Sequence, residues 1–224
     1  LAHEIKNPLT PIQLTIDRLK SKYSEKVADH EKEDFSKSLL IIGKQINQIE
    51  NLVNEFSDFA RMPKPILKDN NLVSLIKDNI KLVNELDDKI IIDFKVSKSD
   101  ILLNSDNEQL SRVFFNLIKN AIESIQEKKV NNINLIGKID IFLNDNSEKI
   151  NFSIIDNGLG FGMFANNLND ILNPYFTTKK KGTGLGLSIV NKIINDHNGK
   201  INFISLEKGA KIEITFTKQW VLKY

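Results

Sequence analysis

Four runs of this sequence combine residue types that do chemistry with spacings that bring them together. The first is His3-Glu4-Ile5-Lys6-Asn7-Pro8. On a helix His3 and Asn7 stand one turn apart on the same face, with Glu4 beside them. A neutral imidazole is a competent nucleophile toward phosphorus, and a neighbouring carboxylate can orient it or take its other proton. Asn7 would hold a water near a phosphorylated His3, which suits hydrolysis of that bond. The same residues also fit a plainer arrangement, in which Pro8 opens a helix, Asn7 caps it and His3 lies in a frayed tail. Against it, Ile5 keeps the heptad register through Pro8, so the helix is expected to continue upstream with a local kink. Pro8 and Pro11 would then release the carbonyls of Glu4 and Asn7.

The second run is Asn116-Leu117-Ile118-Lys119-Asn120-Ala121. Its two asparagines share a helix face, and amide oxygens suit a hard cation such as Mg²⁺, which keeps several waters and is shared with phosphates. Alone, the pair reads equally as two surface asparagines in an Asn-rich chain. The third run is Ile155-Asp156-Asn157-Gly158-Leu159-Gly160. A carboxylate at a strand end can accept from an exocyclic amine such as adenine's, while glycines let the backbone approach the ring; many turns look alike, so the run alone is weak. The fourth is Tyr175-Phe176-Thr177-Thr178-Lys179 followed by Gly182-Thr183-Gly184-Leu185-Gly186-Leu187-Ser188. Glycines running into a helix N-terminus make a cradle of N–H groups for phosphate, to which Thr178 and Lys179 would add a hydroxyl and a positive charge. A flexible hinge is the alternative. The spacing is not that of a Walker loop, because no Gly-Lys-Ser/Thr is present. A dinucleotide fold is disfavoured too, for want of a preceding strand and a later acidic residue.

These runs need elements to hold them. Ile5, Leu9, Ile12, Ile16, Leu19 and Tyr23 recur in steps of four and three, as do Phe35, Leu39, Ile42, Ile46, Ile49, Val53, Phe56 and Ala60. Each set lies along one helical seam, and the polar stretch between them makes an antiparallel hairpin. The seams are too rich for one hairpin to bury, so two hairpins are expected to form a dimeric four-helix bundle. Met62-Pro63-Lys64-Pro65 ends the second helix and marks a boundary between a domain at 1–62 and another at 66–224. Beyond it, helices are expected at Leu72 to Leu86, from a capping box at Ser105 to about Glu127, and from about Thr183 to His197 with Gly199 at its C-cap. Strands are expected at 90–96, 136–143, 150–155, 200–205 and 211–216, giving a two-layer α/β sandwich and an α+β chain overall.

Composition narrows the class. A net charge of +2 with interleaved acids and lysines leaves no footprint for nucleic acid or an anionic membrane. The absence of cysteine excludes disulfides and thiolate metal sites and fits a reducing compartment. No apolar run approaches the roughly 20 residues that span a bilayer. A start at Leu1-Ala2-His3, without Met or a capping residue, suggests a piece of a longer protein.

Taken in order, the four runs resemble the His, Asn, first Gly and Phe/second Gly boxes of bacterial sensor histidine kinases. The resemblance covers nearly the whole chain, and the combination is far more specific than any one run. The opening Leu-Ala-His-Glu-Ile-Lys-Asn-Pro-Leu-Thr-Pro-Ile-Gln-Leu and the later Pro-Tyr-Phe-Thr-Thr-Lys are similar to nitrogen-regulation kinases of the NtrY type. It implies a dimerisation and phosphotransfer hairpin, then an ATP-binding domain of the gyrase/Hsp90/histidine kinase/MutL type. His3 would accept the phosphoryl group from ATP, Glu4 would be its acid/base partner, and Asn7 would serve a phosphatase reaction on the response regulator's receiver domain. Asn120 would bind Mg²⁺ and Asn116 support the nucleotide. Asp156 would recognise adenine, with Gly158 and Gly160 shaping its pocket. A lid from about Gly162 to Thr183 would be anchored by Phe176, and Gly182, Gly184 and Gly186 would lie against the phosphates. Such a core is expected in the cytoplasm as a homodimer, its parent anchored in the inner membrane through segments outside this stretch.

Two departures stand out. Many relatives carry a basic residue where this chain has Glu123, so the phosphate charge must be met elsewhere, with Lys179 as candidate. Phe161-Gly162-Met163-Phe164-Ala165 replaces the usual Ile-Pro-acidic start of the lid. Two rival functions remain. An ATP hydrolase of the gyrase or Hsp90 kind would place a glutamate at Asn116 to activate water, and asparagine is a poor base. A non-catalytic or phosphatase-dominant module that docks a response regulator is the other.

Overall fold

A computed structural model of the chain describes residues 2–84, 89–161, 168–177, 179 and 182–218, with the backbone alone at 2–4 and 169. It divides into two compact units, Leu1–Met62 with Thr177–Leu185 and Pro63–Phe176 with Gly186–Tyr224.

In the first unit α1 (Ala2–Tyr23) and α2 (Lys32–Ala60) pack as a hairpin. α1 runs unbroken through Pro8 and Pro11, so Pro8 does not open it and Asn7 is not its cap. The heptad seam divides into two stripes. Ile16, Leu39 and Ile46 form the buried core, flanked by Leu9 and Phe35. The intervening positions Ile5, Ile12 and Leu19 on α1, with Ile42 and Ile49 on α2, are each more than a third exposed. One hairpin therefore satisfies only half of its apolar pattern.

The second unit is built on a five-stranded sheet in the order β2-β4-β5-β7-β6. Its members are β2 (Ile91–Val96), β4 (Lys138–Asp145), β5 (Lys149–Asp156), β6 (Gly199–Ser205) and β7 (Ala210–Thr217). β2 runs parallel to β4 and the remaining pairs are antiparallel. Burial alternates along the central strands, with Ile139, Ile141, Leu143, Ile150, Phe152, Ile154, Ile212, Ile214 and Phe216 inward. Period-two alternation of this kind leaves one face for helices to cover. The helices are α3 (Leu72–Asn84), α4 (Asn107–Asn131) and α5 (Gly186–Asp196). α4 is the spine of this layer: it packs on β4, β5, α3 and α5, and Phe114 lies 4.9 Å from the ring of Phe152. The expected extension of α3 to Leu86 falls partly outside the described residues.

Three local expectations are corrected. Two short strands, β1 (Lys68–Asn71) and β3 (Leu102–Ser105), pair as a separate antiparallel ribbon. Lys-Asp-Asn-Asn has no alternation to betray it, and only pairing with the distant Leu102–Ser105 makes it a strand. The cap of α4 is Asp106 rather than Ser105: its carboxylate accepts from the Gln109 N–H at 3.1 Å, while the Ser105 hydroxyl turns back to the Leu103 carbonyl. The left-handed residue that ends α5 is Asn198, at φ 53°, and Gly199 already belongs to β6. Gly199 is glycine because a Cβ there would come within 2.9 Å of Ile194 and 3.0 Å of the Phe216 ring.

The start of α4 is a junction. Asp106 Oδ2 accepts from the Ile66 N–H at 2.8 Å, and Gln109 Nε2 donates to the Pro63 carbonyl at 3.0 Å. The Asp106 N–H donates to His197 Nε2 at 2.9 Å, and His197 Nδ1 lies 2.8 Å from the Ile193 carbonyl. A carbonyl on one side and an N–H on the other leave the imidazole proton on Nδ1. His197, buried, thus ties the end of α5 to the start of α4.

Candidate functional site

Asn116 and Asn120 sit half-buried on α4, four residues apart. The helix buries Leu110, Val113, Phe114, Leu117, Ile118, Ala121, Ile122 and Ile125, which leaves the asparagine row at the edge of the core. Steps of four continue that row to Ser124 and Lys128, and both meet the turn that follows β5. The Leu159 N–H donates to Ser124 Oγ at 3.0 Å. Lys128 Nζ donates to the carbonyls of Asn157 and Gly158 at 2.8 and 2.7 Å.

Asp156 closes β5 and is only 8% exposed, with Oδ1 accepting from the Gly158 N–H at 2.8 Å. Asn157 braces the turn from the other side, accepting from the Lys138 N–H at 2.9 Å and donating to the Ile136 carbonyl at 2.8 Å. The glycines have packing reasons of their own. A Cβ on Gly158 would lie 2.4 Å from Ser124 Oγ and 2.7 Å from its backbone carbon. Gly160 adopts φ 70°, and a Cβ there would lie 2.5 Å from the Gly209 carbonyl oxygen. So Gly158 and Gly160 are what lets the turn press between α4 and the β6–β7 connection.

The fourth run is distributed over the two units. In the second, a short 3₁₀ turn at Leu168–Leu172 precedes Tyr175, whose φ of 68° is rare for a side-chain-bearing residue. Phe176, half-buried, follows it, its N–H bonded to the Asn173 carbonyl at 3.2 Å. In the first unit, Lys179 is half-buried, with its N–H on Thr177 Oγ1 at 3.1 Å. A Cβ on Gly182 would meet the same Oγ1 at 2.4 Å, and Gly184 adopts φ 72°. The Leu185 N–H reaches Thr183 Oγ1 at 3.4 Å, and Leu185 is fully buried. α5 then begins at Gly186 and Leu187, three residues later than expected, and a Cβ on Gly186 would meet nothing within 4 Å. Thr178 and part of the expected lid, 162–167 with 180 and 181, lie outside the described residues.

His3, Glu4 and Asn7 all fall within α1. Asn7 is exposed, and the side chains of His3 and Glu4 lie outside the description. Glu123, in place of the expected basic residue, reaches Lys119 at 3.9 Å. Among the described residues no group of three or more His, Cys, Asp or Glu could hold a metal ion. The donors that Asn116 and Asn120 offer are amide oxygens, which suit a hard cation that keeps several waters, such as Mg²⁺.

Comparison with known proteins then decides the family. Residues 1–65 match the profile described as His Kinase A (phospho-acceptor) domain. Residues 105–219 match the histidine kinase-, DNA gyrase B- and HSP90-like ATPase profile. A putative NtrY-like sensor histidine kinase of Rickettsia typhi is 38% identical over 96% of this chain. The nitrogen regulation protein NtrY of Azorhizobium caulinodans is 37% identical over 96% of it. The chain belongs to the sensor histidine kinases. It carries the phospho-acceptor hairpin and the ATP-binding domain that make up the catalytic core of this family. It spans 35% and 28% of the length of those two relatives. Among solved kinases, ThkA in complex with the response regulator TrrA aligns over 97% of the chain, at 28% identity and a TM-score of 0.66. That alignment covers 59% of the ThkA chain. The ThkA catalytic domain alone aligns over 68% of this kinase and 95% of itself, at 33% identity and a TM-score of 0.57. No helix among the described residues of this kinase core is long and apolar enough to cross a membrane.

Proposed function

We propose that this kinase core binds Mg²⁺–ATP in its second unit, transfers the γ-phosphoryl group to His3, and passes it to an aspartate on a response regulator. One observation carries the reading. An ATPase unit with Asn116 and Asn120 on its central helix is joined, in one chain, to a phospho-acceptor hairpin whose first helix, α1, carries His3.

Asp156 accepts a hydrogen bond from the exocyclic amine of adenine, which selects ATP over a nucleotide with a carbonyl at that position. The first-turn N–H groups of α5 at Gly186 and Leu187, with the glycine run before them, receive the phosphates. Lys179 supplies the charge that Glu123 withholds, and Phe176 anchors the lid. Asn120 holds the cation, supported by Asn116, and Mg²⁺ when bound neutralises charge on the phosphate oxygens. The neutral imidazole of His3 forms the new P–N bond as the bond between γ-phosphorus and the bridging oxygen breaks and ADP leaves. Glu4 takes the other ring proton. Asn7, exposed on the same helix, positions water for the opposing phosphatase reaction, in which water takes the phosphoryl group from the regulator's aspartate and inorganic phosphate leaves.

This reading includes a homodimer built on the exposed stripes of the hairpin and a cytoplasmic core whose membrane attachment is carried by other parts of a longer protein. It disfavours the hydrolase alternative, because asparagine at 116 is a poor general base.

The test is incubation of the chain with γ-labelled ATP, with Mg²⁺ or with a chelator. The expected result is protein-bound label that survives base but not acid and is absent without Mg²⁺. Free phosphate released without labelled protein would instead support the hydrolase.

A further inference from the structure

We propose that Lys128 is a positioning residue for nucleotide recognition, acting with Ser124 to clamp the turn after β5 onto α4. This rests on the reading of Asp156 as the adenine acceptor.

The geometry begins with the row Asn116, Asn120, Ser124, Lys128. Each step of four advances about 6 Å along a helix axis. The row therefore works as a ruler: its first half carries the two asparagines, and its second half carries the groups that grip the turn. Ser124 Oγ accepts from the Leu159 N–H at 3.0 Å, and Lys128 Nζ donates to the carbonyls of Asn157 and Gly158 at 2.8 and 2.7 Å. Those contacts begin at the residue directly after Asp156 and include Gly158, whose N–H holds the Asp156 carboxylate at 2.8 Å. The glycine at 158 lets the turn come close enough, since any Cβ would strike Ser124. One rigid helix thus sets both the position of Asn120 and the position of Asp156, and the distance between base and phosphate partners follows from it.

A lysine in the last turn of a helix commonly does no more than face the terminal carbonyls of its own helix. Lys128 departs from that. Both of its bonds reach a turn 29 and 30 residues away, and a charged donor to a carbonyl is stronger than a neutral one. Gly158 is buried and Asn157 half-buried, so removing the ammonium leaves two carbonyls short of a donor and loosens the turn that carries Asp156.

The experiment titrates the full chain with ATP and with the triphosphate of purine riboside, which lacks the exocyclic amine, for wild type, Lys128→Met, Lys128→Arg, Ser124→Ala and Asp156→Asn. Melting temperatures are recorded alongside. Losing a pair of charge-assisted bonds is expected to weaken ATP binding by Lys128→Met about tenfold. Its preference for ATP over the amine-free analogue should shrink with it. Lys128→Arg, which keeps the charge and donors, should recover most of both, and Ser124→Ala should shift in the same direction as Lys128→Met. If Asp156→Asn loses ATP while Lys128→Met keeps wild-type affinity and preference, the clamp is wrong and the adenine reading stands. If Asp156→Asn binds ATP like wild type, the adenine reading fails. Equal weakening toward both nucleotides in Lys128→Met, tracking a lowered melting temperature, would also overturn the positioning role.

Discussion

Asp156, Gly158, Ser124 and Lys128 form one small mechanism that a residue list would divide. Gly158 is a tight point, because a methyl group there meets both the side chain and the backbone of Ser124. Overpacking of a closed contact costs about 1–3 kcal/mol, so Gly158→Ala should lower the unfolding free energy by that amount, read in a denaturant titration. It should also weaken ATP binding, which calorimetric titration would read. Unchanged affinity would separate the turn from the nucleotide. Sequence reached Asp156, Gly158 and Gly160 through a short motif, but assigned the glycines to the ligand alone. It did not reach Ser124 or Lys128, although both continue the four-residue spacing of Asn116 and Asn120. Serine and lysine late in a polar helix are ordinary, and only the fold brings a turn from some 30 residues away against them.

At the scale of elements, the start of α4 gathers the most. Asp106 caps the helix, holds the Ile66 N–H and donates its own N–H to His197. Burial alone would raise its carboxyl, but the N–H groups of Ile66, Gln109 and Glu108 outweigh that and hold it below its ordinary value. A carboxyl depressed in the folded state stabilises the fold above its unfolded-state value and loses that contribution as pH falls through the folded one. Asp106→Ala should therefore cost about 1–2 kcal/mol at neutral pH, the range for a lost cap. The difference from wild type should shrink as melting is followed into acid. A difference independent of pH would mean that the charge does no work there. The helices and the five strands of the main sheet were legible because each carries a long period of 3.6 or 2. The ribbon of β1 and β3 was not, because its strands are short and one is wholly polar. The end of α5 was misread by one residue for a related reason. Glycine after a helix suggests a left-handed cap, whereas here Asn198 turns and Gly199 makes room for Phe216.

At the scale of the whole molecule, the hairpin makes its own demand. Ile5, Ile12, Leu19, Ile42 and Ile49 remain exposed in a single chain, while Ile16, Leu39 and Ile46 satisfy the core. Burying such side chains fully gains about 1.5–3 kcal/mol each, enough in sum to drive association. Ile12→Lys combined with Ile49→Lys should convert a dimer to a monomer in sedimentation velocity, with helix content kept by circular dichroism. A wild-type chain that sediments as a monomer at micromolar concentration would contradict the dimer. The sequence signal for a division at Met62-Pro63 is a heptad seam that runs no further than Ala60. The segment Thr177–Leu185, which groups with the hairpin, carries no such signal, because a glycine-rich run has no side-chain pattern to say where it packs.

The proposed reaction moves the γ-phosphoryl group of an ATP held at Asn120 to His3. The most direct measurement is γ-labelled ATP given in parallel to wild type, His3→Gln and Asn120→Ala, with ATP binding measured for each. Acid-labile, base-stable label is expected on wild type alone. His3→Gln should still bind ATP, and Asn120→Ala should lose the Mg²⁺-dependent part of that binding. Label of wild-type strength on His3→Gln would contradict this transfer.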